Sequence, residues 1–451
     1  MDKNRKIVVL GGGESGYGSA VLAKTKGYDV FLSDSGTLAP KYAAILDSYG
    51  IPYEEGCHTE EKVLSADEVI KSPGIPESAP IIMAVRGKGI PVISEIEFGG
   101  RFTNGKTICI SGSNGKTTTT TLAYEILLRA GYDVGLAGNI GKSFAYSVAT
   151  GDKGWYVMEL SSFQLDGMYD FRADIAVLMN ITPDHLDRYD YSFDKYADSK
   201  MRITRNQRPE DTFIYWADDA VIEAKAAKPA PAARMLPFSV SKAQEQGAWL
   251  GPEGIITARV GSRELRIDTA RLRIKGIHNA CNVMAAVTAA MAAGVDDGPI
   301  LDTVYSFAGV EHRMEFVAEV AGVEYINDSK ATNVDSAWYA LDSMRRPTVW
   351  IAGGTDKGND YGPLKALAQD KVKALVCMGA DNSRLTESFT GIVPVIYDTH
   401  SLREAMQACA DAAGEGDTVL LSPACASFDL FSNFEDRGRQ FKVKVAGLKQ
   451  K

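Results

Sequence analysis

Short apolar runs recur along the chain at intervals long enough to hold a helix or a glycine turn. Near the start, Ile7–Leu10, Val30–Leu32 and Val69–Ile70 are such runs, separated by helical or glycine-punctuated stretches. This pattern predicts βαβ units and a parallel sheet. The turn-rich stretch FGGRFTNGK, Phe98 to Lys106, precedes a fresh strand at Thr107–Ser111 and marks a boundary near residue 100. The second segment carries the buried-strand runs WYVMEL and ADIAVLMNIT. EAKAAKPAPAARMLP is Ala/Pro-rich and reads as a surface excursion. GIITARVGSRELRI alternates like two strands around Gly261 and Ser262, and HNACNVMAAVTAAMAAGV reads as an Ala-rich helix ending at Gly294. Beyond a boundary near 309, VEYIND, PTVWIAGG, KALVCMG, VPVIY and DTVLLSPA restart the alternation as a second doubly wound layer.

With 451 residues the chain exceeds what one core organises, so two or three domains are expected. The divisions are placed at 1–99, 100–309 and 310–451. A formal net charge of −9 leaves no basic footprint for nucleic acid, so an anionic ligand must be held by local groups. No run approaches a membrane span and the start is too short for a secretory apolar region, so a cytoplasmic enzyme without membrane insertion is expected, as a monomer. The six cysteines are scattered with no C-x-x-C pair, which points to neither a disulfide framework nor a zinc site.

Two glycine motifs carry the first chemistry. Gly11, Gly13 and Gly16 follow the first strand in the spacing G-x-G-x-x-G, and Asp34 lies 18 residues after Gly16. That pattern prompts an NAD-dependent oxidoreductase as one reading. The second motif, ICISGSNGKTTTTTL, sets Gly112, Gly115, Lys116 and Thr117 between a strand and a helix. Backbone amides there can surround a phosphate, Lys116 can reach terminal phosphates, and Thr117 can hold Mg²⁺; the alternative is an ordinary glycine turn. Glu159 closes WYVMEL at the strand edge that faces a ligand crevice, either as a metal ligand or as a solvated acid. NITPDHLDRY brings Asp184, His185 and Asp187 after another apolar run. His185 is a metal ligand or a structural loop histidine, and Mn²⁺ suits imidazole better than Mg²⁺. Lys200 in YADSKMRI reads by itself as an ordinary helix lysine.

In order, SGSNGKTTTT, MELSSFQL, NITPDHLDRY, GIHNACN, EHRME, NDSKATN and LSPACASFDLFSNFEDRG make the chain resemble the ATP-dependent Mur ligases of bacterial cell-wall synthesis. The resemblance covers essentially the whole chain and lies in the combination of motifs. It implies an α/β protein of three domains: an N-terminal Rossmann-like domain for a UDP substrate, a central P-loop ATPase domain, and a C-terminal Rossmann-like domain that closes and receives an amino acid. The closing motif implies UDP-N-acetylmuramoyl-L-alanine and D-glutamate as partners, joined through an acyl phosphate.

The resemblance also implies residue roles. Gly112, Asn114, Gly115, Lys116, Thr117, Thr118, Asn279, Asn282, Arg313 and Asp328 are expected at ATP. Lys116, His185 and Lys200 are expected at the chemistry. Thr117, Glu159, His185 and Lys200, the last as a carbamate formed with CO₂, are expected at two Mg²⁺ sites, with Mn²⁺ as an alternative. For D-glutamate the match gives Lys330, Thr332, Lys357, Ser427 and Phe434; in GGTDKG, Thr355 and Asp356 precede Lys357 where relatives commonly show Asp-Gly. The opening glycines then face a diphosphate and not a nicotinamide: Glu14, Ser15, Gly16, Asp34, Ser35, Ser72, Pro73, Gly74, Asn139 and His185 are expected along the UDP substrate. An oxidoreductase leaves Lys116, Glu159, His185 and the third segment unexplained. A non-catalytic nucleotide-binding regulator leaves the metal-type residues unexplained. A neighbouring ligase with another amino acid, or a folate polyglutamate ligase, is the nearest alternative.

Overall fold

The computed structural model describes residues 5–227, 230–356 and 358–448. They form three sheets. The first contains β1 (Lys6–Leu10), β2 (Asp29–Ser33), β3 (Tyr53–Glu54), β4 (Glu68–Lys71) and β5 (Val92–Ile93). All five are parallel, in the order β3-β2-β1-β4-β5. Strand order reverses at β1, so the loops after β1 and β4 lie side by side, where open α/β sheets take their ligands.

The second sheet contains β6 (Lys106–Ser111), β7 (Val134–Gly138), β8 (Trp155–Glu159), β9 (Ile175–Leu178), β10 (Thr212–Trp216), β11 (Arg234–Ser239), β12 (Gly247–Leu250), β13 (Ile255–Val260) and β14 (Arg263–Asp268). Its order is β7-β8-β6-β9-β10-β11-β12-β13-β14. Strands β7 to β12 are parallel, and β12, β13 and β14 run antiparallel. The strands flanking β6 are apolar on both faces, as a sheet covered on both sides requires. Register then sets the site: Glu159 pairs with Ile110 and Leu178 with Ser111, which brings the loops leaving β6, β8 and β9 to one edge.

The third sheet contains β15 (Glu315–Val320), β16 (Val323–Asn327), β17 (Thr348–Ala352), β18 (Val372–Met378), β19 (Ile396–Thr399) and β20 (Thr418–Leu421). Its order is β15-β16-β20-β17-β18-β19, parallel except for the antiparallel edge strand β15. The chain divides into two compact units. One runs to Leu272 and includes Asn279–Ser306, so it holds the first two sheets. The other comprises Arg273–His278 and the chain from Phe307 onward, with the third sheet.

The expected α/β class holds, and two local readings are corrected. Phe98–Gly100 closes the helix Glu95–Gly100, whose first turn is capped by Ser94 Oγ accepting from Glu97 N–H at 3.2 Å. Its two glycines make room for rings: a Cβ at Gly99 would meet Phe144 at 2.7 Å, and one at Gly100 would meet Phe171 at 2.3 Å. The Ala/Pro-rich excursion is partly regular, with a helix over Ala220–Ala227 and β11 from Arg234. Pro237 is tolerated because β11 pairs with β12 only from Phe238. The β13–β14 hairpin turns at Gly261, whose φ of 64° favours glycine. Among the described residues no helix is long and apolar enough to cross a membrane.

Candidate active site

The phosphate loop leaves β6 through Gly112 and Gly115, with φ of 148° and 83°. A Cβ at Gly115 would lie 2.5 Å from Asn282 Oδ1 on the helix Ile277–Ala292, and one at Gly112 2.9 Å from Met179 Cβ. Glycine is therefore required by space as well as by conformation. The helix Lys116–Arg129 starts directly after the loop, so its first amides point outward at the N-terminus. Lys116 Nζ folds back to donate to the carbonyls of Gly112 and Ser113, both at 2.7 Å. Lys200 Nζ donates to the same Gly112 carbonyl at 2.8 Å. A glycine cradle, a helix N-terminus and two amines fit a polyphosphate. Thr117 and Thr118 are buried in the first turn of that helix. Asn282 accepts from Thr119 at 3.3 Å and donates to Asn279 at 3.1 Å, which packs both asparagines beneath the loop.

Glu159, 1 % exposed, ends β8. Asn139 grips it twice, through its N–H to the Glu159 carbonyl and its Nδ2 to Oε1, both at 2.8 Å. Lys200 lies on the helix Phe193–Met201, one turn beyond Tyr196, and is 2 % exposed. Burial and the neighbouring Lys116 charge hold its amine well below the usual lysine pKa, against the pull of Asp184, Glu159 and Asp166. Both effects act toward the neutral amine, the form able to attack CO₂.

His185 sits with φ of 51°, its Nε2 3.5 Å from Asp184 and its ring 5.3 Å from Phe163. These groups meet in one cavity of 280 Å³. Lys116, Lys200, His185, Asn139, Pro73 and Gly74, all expected from the sequence, line it. Ser161, Ser162, Phe163, Asp184 and Tyr196 complete the wall. Asp184 lines this cavity and Glu159 and Thr117 do not, although Asn139, which holds Glu159, and Lys116, which precedes Thr117, are in its wall. Carboxylate and hydroxyl oxygens of this kind suit a hard divalent cation, and a carbamate on Lys200 would add another.

Residues expected along the UDP substrate fall into two groups. Pro73 and Gly74 reach the cavity, and Arg188 holds their loop through the carbonyls of Pro73 and Ile75 at 3.4 and 3.3 Å. Asn139 and His185 line the cavity as well, while Glu14, Ser15 and Gly16 open the helix after β1, Asp34 and Ser35 follow β2, and Ser72 follows β4. Gly16 packs on the Gly11 carbonyl, which leaves no space for a Cβ, and Ser72 Oγ donates to that carbonyl at 3.3 Å. Asp34 accepts from the amides of Gly12 and Gly36. Glu14 accepts from the Tyr17 and Tyr42 hydroxyls at 3.0 and 2.8 Å. Ser15 is half-buried and Ser35 exposed.

In the second unit, Asp328 is buried at the end of β16 and accepts from Ser422 Oγ at 2.9 Å and Met314 N–H at 3.2 Å. Burial raises its pKa to about 7, against the opposing Arg313 and Arg437 charges. Lys330 Nζ stands 5.1 Å from the centre of the Phe434 ring. Ser427 is buried and Thr332 exposed. Lys357 lies outside the described residues. Arg437, which sequence reasoning missed, is buried and donates to Ser329 Oγ and to the Ser329 carbonyl, at 3.0 and 2.8 Å.

Other missed residues left readable signals. Ser161 and Gln164 form a capping box, with Gln164 Oε1 accepting from Ser161 N–H at 2.9 Å. Tyr196 precedes Lys200 by one helical turn, which puts both on one face.

Three family models match the chain. "Mur ligase MurD-like, N-terminal domain" matches residues 5–94, "Mur ligase middle domain" residues 110–290, and "Mur ligase, glutamate ligase domain" residues 312–425. A Porphyromonas gingivalis protein named UDP-N-acetylmuramoylalanine–D-glutamate ligase is 53% identical over 443 residues, 98% of each chain. A Bacteroides fragilis protein of the same name is 53% identical over 446 residues, 98% of this chain and 100% of its own. Among solved structures, UDP-N-acetylmuramate-alanine ligase MurC from Thermotoga maritima shares the fold, with a TM-score of 0.63 at 20% identity over 98% of this chain and 99% of its own. Full-length identity of this order, with three family models that together match most of the chain, places the protein in the Mur ligase family.

Proposed function

We propose that the chain joins D-glutamate to UDP-N-acetylmuramoyl-L-alanine with cleavage of ATP to ADP and phosphate, as a monomeric enzyme of cytoplasmic peptidoglycan precursor synthesis. The observation that carries this reading is the cavity in which Lys116 and Lys200 meet His185, Asn139, Pro73 and Gly74. Relatives at 53% identity bear the corresponding name. The proposed divisions are 1–99 for the UDP substrate, 100–309 for ATP and 310–451 for the amino acid.

A carboxylate is a poor acyl donor, because its charge repels nucleophiles and oxide does not leave. In this reading the substrate's alanine carboxylate attacks the γ-phosphorus of ATP, giving an acyl phosphate and ADP. The neutral amine of D-glutamate then attacks the acyl carbon, and the tetrahedral adduct releases phosphate as the amide forms. Lys116 and the helix N-terminus beside it offset charge on the transferring phosphoryl group. Thr117, Glu159, His185 and a carbamylated Lys200 would hold Mg²⁺ or Mn²⁺, which supplies further charge neutralisation when bound. The carbamate forms when the Lys200 amine adds to CO₂ with loss of one proton. Gly112, Asn114, Gly115 and Thr118 would frame the phosphates, while Asn279, Asn282, Arg313 and Asp328 serve the rest of ATP. Lys330, Thr332, Lys357, Ser427 and Phe434 would receive D-glutamate, whose second carboxylate needs a cation when buried. Residues 14–16, Asp34, Ser35, 72–74 and Asn139 would follow the UDP substrate.

Phosphate release with ATP, Mg²⁺ and UDP-N-acetylmuramoyl-L-alanine, assayed with each candidate amino acid in turn, tests this. D-glutamate should stimulate release, and stimulation by another amino acid in its place would overturn the substrate assignment.

A further inference from the structure

Beyond Leu178 the chain runs back along the phosphate loop, and one residue there takes over the loop's backbone. Ser113 N–H donates to the Asn180 carbonyl at 2.9 Å. Asn114 N–H donates to Asn180 Oδ1 at 2.7 Å, and Asn180 Nδ2 donates to the Asn114 carbonyl at 3.1 Å. The carboxamide thus pairs with both peptide groups of Asn114, as a neighbouring strand would. Ser113 Oγ completes the seam, accepting from Thr182 N–H at 3.0 Å and donating to the Thr182 carbonyl at 2.9 Å.

This pairing has two consequences. The Asn114 amide is committed to Asn180, so in the proposed site Asn114 would frame phosphate through its side chain, and backbone donors would come from the residues after it at the helix N-terminus. The segment so fixed is also the one whose carbonyls, those of Gly112 and Ser113, receive Lys116 and Lys200. A turn of the peptide between Gly112 and Ser113, whose N–H the Asn180 carbonyl holds, would shift the acceptor that both amines share, and a turn of the next peptide, whose N–H Asn180 Oδ1 holds, would shift the Ser113 carbonyl that Lys116 takes.

We propose that Asn180 is a positioning residue for the nucleotide: it sets the phosphate loop's register and ties it to the segment that carries Asp184 and His185. Its role is to act through Ser113 and Asn114, the two residues whose peptide groups it holds. The inference deepens the proposed function and depends on that reading of the loop.

Titration of a fluorescent ATP analogue with Mg²⁺ into the full chain tests it without turnover. Asn180→Ala should weaken binding roughly tenfold, the scale of one or two lost hydrogen bonds to a buried loop. It should raise the KM for ATP alike while leaving the KM for D-glutamate within about twofold. Asn180→Asp keeps the acceptor for Asn114 N–H and loses the donor, so it should fold as the wild type and still bind the analogue more weakly. Ser113→Ala should weaken binding as well, and the double variant Ser113→Ala, Asn180→Ala should lose less than the product of the single effects, because both act through one loop. Wild-type analogue affinity in both Asn180 variants, or equal losses in the KM for ATP and D-glutamate, would overturn the proposal. A wild-type chain that fails to bind the analogue would instead overturn the reading of the loop as an ATP site.

Discussion

Lys116 and Lys200 share one acceptor: the Gly112 carbonyl oxygen takes a hydrogen bond from each Nζ, at 2.7 and 2.8 Å. Two ammonium ions on one carbonyl repel each other, and burial together with the Lys116 charge holds the Lys200 pKa well below its usual value. In the proposed function Lys116 meets phosphate as a cation and Lys200, as the neutral amine, reacts with CO₂.

In the proposed mechanism Lys116→Ala removes the cation that offsets charge on the transferring phosphoryl group. The rate of ATP-dependent phosphate release should fall by about three orders of magnitude, in line with the loss of a preorganised charge at a phosphoryl-transfer site. Steady-state assays at saturating substrates measure it, and near-normal turnover would remove Lys116 from the chemistry.

Lys200→Ala should also inactivate, for a different reason. If a carbamate is the working form, short carboxylates added to the assay should restore part of the activity by supplying the missing anion. Full activity without additives would make Lys200 an ordinary buried lysine.

Glu95 gives a pH signature in the same unit. Its fully buried carboxyl accepts from Ser143 Oγ and from Ala145 N–H at 3.1 Å, and burial raises its pKa to about 7. Between pH 4.5 and 7 the folded chain therefore holds a proton that the unfolded chain has lost. The stability this group contributes is present below about pH 4.5 and is lost as pH rises to 7, by about 3 kcal/mol at most. Urea midpoints across that range should fall for the wild type, and Glu95→Gln should flatten this part of the slope.

Glu97 supports the same region by a different device. Its Oε2 accepts from three successive amides, Tyr169, Asp170 and Phe171, at 2.9, 3.1 and 2.9 Å. Glu97→Ala leaves those donors unpaired and should cost about 3 kcal/mol of stability in urea unfolding. A change within 0.5 kcal/mol, the range of an ordinary surface substitution, would contradict this.

Much of the fold was legible because strands buried on both faces announce themselves as apolar runs, as TICIS, WYVME and IAVL do. The phosphate loop was legible because glycine is needed where the backbone turns with positive φ. Other strands were harder to read: β7, as VGLAG, is interrupted by glycine and the edge strand β15, as EFVAEV, by acids, so neither carries a continuous apolar run although each pairs with the next strand along the chain. Asn180 stayed hidden for another reason. A carboxamide that imitates a strand looks like any loop asparagine until the loop it pairs with is in place. Lys200 is the converse case, ordinary by pattern, named from the sequence only through the family resemblance, and found buried beside Lys116.

The most direct test follows the oxygen atoms. UDP-N-acetylmuramoyl-L-alanine labelled with ¹⁸O in both carboxylate oxygens is incubated with the chain, ATP, Mg²⁺ and D-glutamate, and the released phosphate and the amide product are weighed by mass spectrometry. Attack of the carboxylate on ATP requires one labelled oxygen in each phosphate and the other in the new amide carbonyl, with no release unless D-glutamate is present. Unlabelled phosphate, or labelled phosphate released equally without D-glutamate, would contradict the account.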